Sequence, residues 1–247
     1  LGVKLADNFI EAIKGVNWIL LCVSFDSLDV VLKEIGPYVR SDQVVMDISS
    51  IKEIPVNLLH KYVKNGVKLG THPVFGPGAK NLKGQNFVLT PTSKEDKVFA
   101  EEYKIWLEKR GAAVTILSPR NHDMLMSIVL GFPHFLGLVA GDTLVNLTGF
   151  VDAKTVGGAS YKLLLTLIEA VSSEESKFYS NLHVSLPEIE KVETLFLEKV
   201  EDWLKLVKDK NCQSFANKME ILKKKLEELD PEYEQAYKDM YRLIDGC

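Results

Sequence analysis

The sequence predicts an α/β domain with a mostly parallel sheet over residues 1–118, followed by an all-α domain over residues 119–247. Short apolar runs alternate with amphipathic helical stretches as far as Leu117. Strand signals then cease, and nearly everything after Ser118-Pro119 is helical in pattern. Strands alternating with short helices imply βαβ units, and such units build parallel sheets.

Each element has its own signature. Asn17-Trp18-Ile19-Leu20-Leu21-Cys22-Val23 is a continuous apolar run, the pattern of a buried strand. After the loop Ser24-Phe25-Asp26-Ser27, Ser27 is the expected cap of a helix whose apolar positions Leu28, Val31, Leu32 and Ile35 share one face. Gly36-Pro37 ends it. A second strand, Val44–Ile48, precedes a helix from about Glu53 to Lys64, and the turn Asn65-Gly66 leads into a third strand, Val67-Lys68-Leu69-Gly70. Phe87–Thr90 and Ala113–Leu117 are two further strands, separated by a helix carrying Val98, Tyr103, Trp106 and Leu107. Ser118 as cap and Pro119 in the first turn then open the helical half.

In that half the most apolar stretch, Ser127 to Gly141, is interrupted by Pro133 and His134 and followed by Asp142. Its length and polarity argue against a bilayer span, so a buried helix is expected. Three apolar stripes follow: Ile189, Val192, Phe196, Val200, Trp203 and Val207; then Phe215, Met219, Leu222, Leu226 and Leu229; then Tyr233, Tyr237, Met240 and Ile244. Such stripes are core-facing helix faces or a dimer interface.

Composition narrows the classes. The apolar share of 46% and charged share of 26% are those of a globular protein. A net charge of -4 comes from 30 basic and 34 acidic residues with no long single-sign block, which gives nucleic-acid or membrane-surface binding no support. An anionic ligand would have to be held by local cations. Cys22, Cys212 and Cys247 are odd in number and lack metal-ligand spacing, as expected of free thiols in a reducing cytoplasm. No signal peptide is visible, and the chain opens on Leu1 inside a strand-to-helix pattern, as a chain whose start lies upstream would.

The chemistry concentrates in two stretches. Asp47-Ile48-Ser49-Ser50-Ile51-Lys52 follows the second strand, and Thr71-His72-Pro73-Val74-Phe75-Gly76-Pro77 follows the third. In an open α/β sheet the loops past the carboxyl ends of strands line the ligand crevice. A hydroxyl, an ammonium and an imidazole are thereby expected over one crevice. A neutral imidazole with an ordinary pKa of about 6.5 accepts a proton near neutral pH, so activity should rise as His72 deprotonates. Ser50 is expected to bond the same hydroxyl or the imidazole, while one of Ser49 and Ser50 caps the following helix. His122-Asp123 is expected in the first turn of the helix after Pro119, where the helix dipole favours an acidic residue. His122 and His134 have no metal-ligand spacing, so no metal site is expected.

Taken together, Val45-Met46-Asp47-Ile48-Ser49-Ser50-Ile51-Lys52, His72-Pro73-Val74-Phe75-Gly76-Pro77, Asn121-His122-Asp123 followed by Met126, and His134-Phe135 resemble the prephenate dehydrogenase family, arogenate dehydrogenase being its close relative. Order and spacing agree, and the resemblance runs from about residue 1 to at least residue 182. It implies a Rossmann-like first domain, incomplete here because no G-x-G-x-x-G turn follows a strand, and a helical second domain for substrate binding and dimerisation. It implies oxidative decarboxylation of prephenate to 4-hydroxyphenylpyruvate in tyrosine biosynthesis, with NAD or NADP taking the hydride from C4. The C4 hydroxyl loses its proton and the C1 carboxylate departs as carbon dioxide.

By the same resemblance His72 and Ser50 are catalytic. Lys162, His122, Lys52 and His134 bind substrate, with Lys80 and Arg120 further cations beside the matched loops. Val23, Ser24, Phe25 and Ser49 supply the nicotinamide side of the cofactor site. The family pattern has Arg where this chain has Lys162, and lysine offers a point charge without the bidentate fork. That departure opens the choice between prephenate and arogenate. The other readings are a short β-hydroxyacid dehydrogenase, against which the Ser50 and His72 loops argue, and a catalytically silent dimerisation or regulatory fragment. The implied partners are prephenate and a second copy of the chain in a cytoplasmic homodimer. As a 247-residue polypeptide lacking the phosphate cradle, the chain is expected to show no prephenate-dependent reduction of NAD.

Overall fold

The computed structural model describes residues 2–76 and 78–245. The chain forms two compact units: Leu1–Ser127 with Lys177–Pro187, and Ile128–Ser176 with Glu188–Cys247. The first therefore extends past residue 118 and takes back a later segment.

The first unit is built on one five-stranded sheet in the order β1 (Trp18–Leu21), β2 (Val44–Asp47), β3 (Val67–Pro73), β4 (Asn86–Thr90) and β5 (Ala113–Ile116). β1, β2 and β3 are parallel, as the alternation with helices predicts. β4 then pairs antiparallel to β3, and β5 is parallel to β4, so the sheet is mixed. The reason is local. Residues 74–85 carry no helix among those described, and a strand that returns without a crossover helix runs antiparallel.

Side-chain alternation distributes the core to both faces. Ile19, Leu21 and Val45 meet Leu28, Leu32 and Ile35 of α2 (Phe25–Ile35) and Leu59 of α3 (Glu53–Tyr62). Ahead of them lies α1, the short helix Phe9–Ile13. Val44, Met46, Leu69, Phe87 and Leu89 meet Ala100 and Leu107 of α4 (Lys94–Glu108) on the opposite face. β1 is only half-buried, contrary to its continuous apolar sequence: Ile19 and Leu21 face the core while Trp18 and Leu20 on the other face are exposed. Trp18 is covered edge-on by Phe99, Tyr103 and Trp106. α5 (Pro119–Met126) starts where expected, with Ser118 accepting from the Asn121 N–H at 3.2 Å.

The second unit contains α6 (Phe132–Val145), α7 (Phe150–Val156), α8 (Ala159–Ser172), α10 (Ile189–Lys208), α11 (Cys212–Leu229) and α12 (Ala236–Asp245); α9 (Ser176–Ser185) lies almost wholly in the first. α6 and α8 pack closely because Gly137 and Gly141 present no side chain to Val171 and Ile168. The expectation of a buried Ser127–Gly141 helix is corrected. Ser127–Gly131 forms a π-helical turn, and helix continues to Val145, so Pro119–Val145 is long and apolar enough to cross a membrane by length and composition alone. Ile128, Val129, Leu138, Val139 and Val145 are exposed in this single chain, while the glycines form the buried side.

Candidate active site

The carboxyl ends of the three parallel strands lie side by side, since Leu21 pairs with Asp47 and Asp47 with Gly70. β3 continues beyond that line through Thr71, His72 and Pro73, now paired to Leu89, Val88 and Phe87 of β4. His72 thus projects from an ordered strand one pleat past the ends of its neighbours, on the same face as Gly70. The loops that follow β1 and β2, residues 22–24 and 48–52, end on the same edge of the sheet.

His72 is buried, and its Nδ1 lies 2.8 Å from Nε2 of His122 on α5. Nδ1 of His122, itself fully buried, lies 2.6 Å from Asp123 Oδ1. That carboxylate also caps α3 from another part of the chain: Oδ1 accepts the Lys52 N–H at 2.6 Å and Oδ2 the Glu53 N–H at 2.8 Å. Two expectations are corrected here. Asp123 lies beyond the first turn of α5, and the helix N-terminus it serves is that of α3. Neither Ser49 nor Ser50 caps α3, whose N-cap residue is Lys52. The Ser50 side chain is therefore released from that duty, and it makes no hydrogen bond among the described residues.

Lys52 has a different part from the one expected. Its side chain is wholly buried, with the ammonium on Asp47 Oδ1 and donating to the Thr71 carbonyl at 2.6 Å. It reaches there across Gly70, where a Cβ would come 3.3 Å from Lys52 Cδ and 2.6 Å from Val56 Cγ2. Burial pushes the ammonium below the ordinary lysine range, against the pull of Asp47 and Asp123. Lys52 is thus an internal tie between the β2 and β3 ends, not a cation facing a solute. Thr71 reinforces it by donating to the Asp47 carbonyl at 2.6 Å.

Burial above all, with His122 and Lys52 close by, pushes His72 down to about 3. The imidazole is neutral across the working pH range, which corrects the expectation of titration near neutrality. Its Nε2 makes no hydrogen bond among the described residues, leaving one ring nitrogen available for a proton.

The remaining predicted residues fall into two groups. Val23 and Phe25 are half-buried after β1, and Ser24, not Ser27, is the N-cap residue of α2. The two hydroxyls bond each other at 2.8 Å, so no side chain caps the leading N–H groups of α2. Ser49 N–H donates to Asp47 Oδ1. Among the described residues no Gly-rich turn opens a helix after a strand to take the phosphates of a dinucleotide. Lys80 and Arg120 are exposed. Lys162, exposed in the first turns of α8, and half-buried His134 in α6 belong to the second unit. Pro77 and Cys247 lie outside the described residues.

Residues 1–116 match the family profile "Prephenate dehydrogenase, nucleotide-binding domain". A probable arogenate/prephenate dehydrogenase of Methanocaldococcus jannaschii is 32% identical over 223 residues, covering 89% of this chain and 50% of that protein. The prephenate dehydrogenase of Bacillus subtilis is 26% identical over 141 residues, 53% of this chain and 38% of its own. The chain spans about half the length of the curated relatives it matches. Among solved structures, prephenate dehydrogenase from Aquifex aeolicus, in complex with hydroxyphenyl propionate and NAD+, has a TM-score of 0.70 at 22% identity, covering 87% of this chain and 77% of that one. Arogenate dehydrogenase from Synechocystis also scores 0.70, at 14% identity over 91% of this chain and 82% of the other. These structures share the fold of a Rossmann-like sheet domain followed by helices. Residues 1–116 thus match the nucleotide-binding domain of prephenate dehydrogenases, and the chain as a whole is similar to members of that family.

Proposed function

We propose that this chain carries the proton-accepting site of an NAD(P)-dependent dehydrogenase that converts prephenate to 4-hydroxyphenylpyruvate with loss of carbon dioxide. The observation that supports it is the neutral, buried imidazole of His72, with Nε2 unbonded at the edge where the Ser24 and Ser50 loops end. Oxidation at C4 requires a partner for the hydroxyl proton while the hydride leaves, and His72 Nε2 is that partner. The Ser50 hydroxyl is free to orient the same oxygen. The nicotinamide supplies the hydride acceptor when bound, beside Val23, Ser24, Phe25 and Ser49. Departure of the carboxylate leaves an aromatic ring, so the proton need not be returned.

Substrate carboxylates need cations that are not already tied up. Lys52 is internal, so the carboxylate-binding role is proposed for the exposed Arg120 and Lys80 and, from the family pattern, for Lys162. A lysine at 162 serves a single carboxylate as a point charge. The helical unit is proposed to pair with a second copy in the cytoplasm: Leu195, Leu197, Val200, Leu204 and Val207 of α10 and Met219, Leu222 and Leu226 of α11 are exposed in the single chain.

The test is formation of reduced nicotinamide with prephenate or arogenate, using the 247-residue chain and the product of its whole reading frame. Prephenate-dependent turnover by the latter, lost by about 10²-fold or more in His72→Asn, is expected. Near-parental turnover in that variant would sink the role given to His72.

A further inference from the structure

The contacts around Asp123 fix more than a position. Both oxygens of the Asp123 carboxylate accept a backbone N–H, from Lys52 and Glu53, an arrangement that favours the ionised form. An ionised carboxylate has no proton to offer His122 Nδ1, so that nitrogen carries the hydrogen of the 2.6 Å bond. In a neutral ring His122 Nε2 is then bare and must accept. His72 Nδ1, 2.8 Å away, supplies the hydrogen, and His72 Nε2 is left with its lone pair outward.

We infer that Asp123 and His122 are positioning residues that set the tautomer of His72, making Nε2 the proton-accepting atom, and that they take over the charge formed there. The inference rests on the proposed function only for the hydroxyl that provides the proton. As the hydroxyl O–H proton passes to His72 Nε2, the Nδ1 proton passes to His122 Nε2. His72 ends neutral with hydrogen on Nε2, and His122 ends as an imidazolium against the Asp123 carboxylate. Of the two rings, His72 lies near the Lys52 ammonium and His122 beside the carboxylate, so the second is the better seat for a positive charge. Asp123 also holds the start of α3, tying the loop that bears Ser50 to the same carboxylate.

The experiment has a readout that needs no substrate. Nitrogen-15 NMR of the histidine-labelled 247-residue chain assigns each ring nitrogen as protonated or bare. In the parent, His72 is expected with hydrogen on Nδ1 and a bare Nε2. Hydrogen on Nε2, which a doubly protonated His122 would impose, overturns the inference.

His122→Leu removes the acceptor and should release His72 into a tautomer mixture, whereas His122→Gln keeps an acceptor near the position of Nε2 and should preserve the parental form. In the active protein His122→Leu should lower kcat by about 10²-fold with KM for NAD(P) little changed, and His122→Gln should recover part of it. Equal loss in both variants with an unaltered His72 tautomer would reduce His122 to packing and overturn the inference. The NMR result stands or falls without prephenate, so its failure is distinct from that of the proposed activity.

Discussion

Lowering the pH should unfold the sheet unit through His72. In the folded chain this imidazole is pushed down to about 3, while an unfolded chain holds it near 6.5. The folded state is therefore the one that refuses the proton. Stability from this group is complete above about pH 6.5 and is lost progressively as the pH falls toward 3, because only the unfolded chain gains a proton there. At pH 5 the unfolded imidazole is almost fully charged and the folded one almost fully neutral, a difference of about 2 kcal/mol. The titratable groups that face the ring are His122, backed by Asp123, from α5 and Lys52, backed by Asp47, from the β2–α3 loop. Urea unfolding at about pH 7.5 and pH 5 reads the loss, as a midpoint shift of roughly 1 M for a slope of about 2 kcal/mol per molar. Using a Trp203→Phe background leaves Trp18 and Trp106, both in the aromatic cluster of the first unit, as reporters. His72→Asn should remove the 2 kcal/mol component while leaving the rest of the acid sensitivity. An equal acid loss in parent and variant would refute the argument that burial keeps His72 neutral.

Two further outcomes follow from the internal tie. Lys52→Met should destabilise by about 3–5 kcal/mol, since it strands a buried carboxylate at Asp47, and a second change of Asp47 to Leu should recover much of the loss in thermal melts. Gly70→Ala should cost about 1–3 kcal/mol, because its methyl would sit 2.6 Å from Val56 Cγ2 and crowd Thr90 and Lys52, and the melting temperature would show it.

The sheet's three parallel strands and their helices were legible in the sequence, because each has its own period and its own breaker. The reversal at β4 was harder to see, although a connection without a helical pattern was its signal. Ser50, His72 and the His122-Asp123 pair could also be read as candidates, in a loop, at a strand end and early in a helix. What each does was less legible. Lys52 looks like a cation beside a substrate until Gly70, far along the chain, opens a channel for it into the interior. Asp123 looks like an acid favoured by its own helix, while its carboxylate in fact closes the start of another. Both depend on contacts between distant segments, which no local pattern records.

β3 changes partners midway, leaning on β2 up to Gly70 and on β4 from Gly70 to Pro73. The imidazole proposed as proton acceptor therefore stands on backbone held by hydrogen bonds, whereas the Ser50 hydroxyl stands on a loop. Amide exchange should be slow around His72 and fast around Ser50. On the proposed roles, a new substrate could be accommodated by reshaping the loop while the base keeps its aim. Attempts to broaden or switch the substrate would do best to vary residues 48–51 and leave the strand alone.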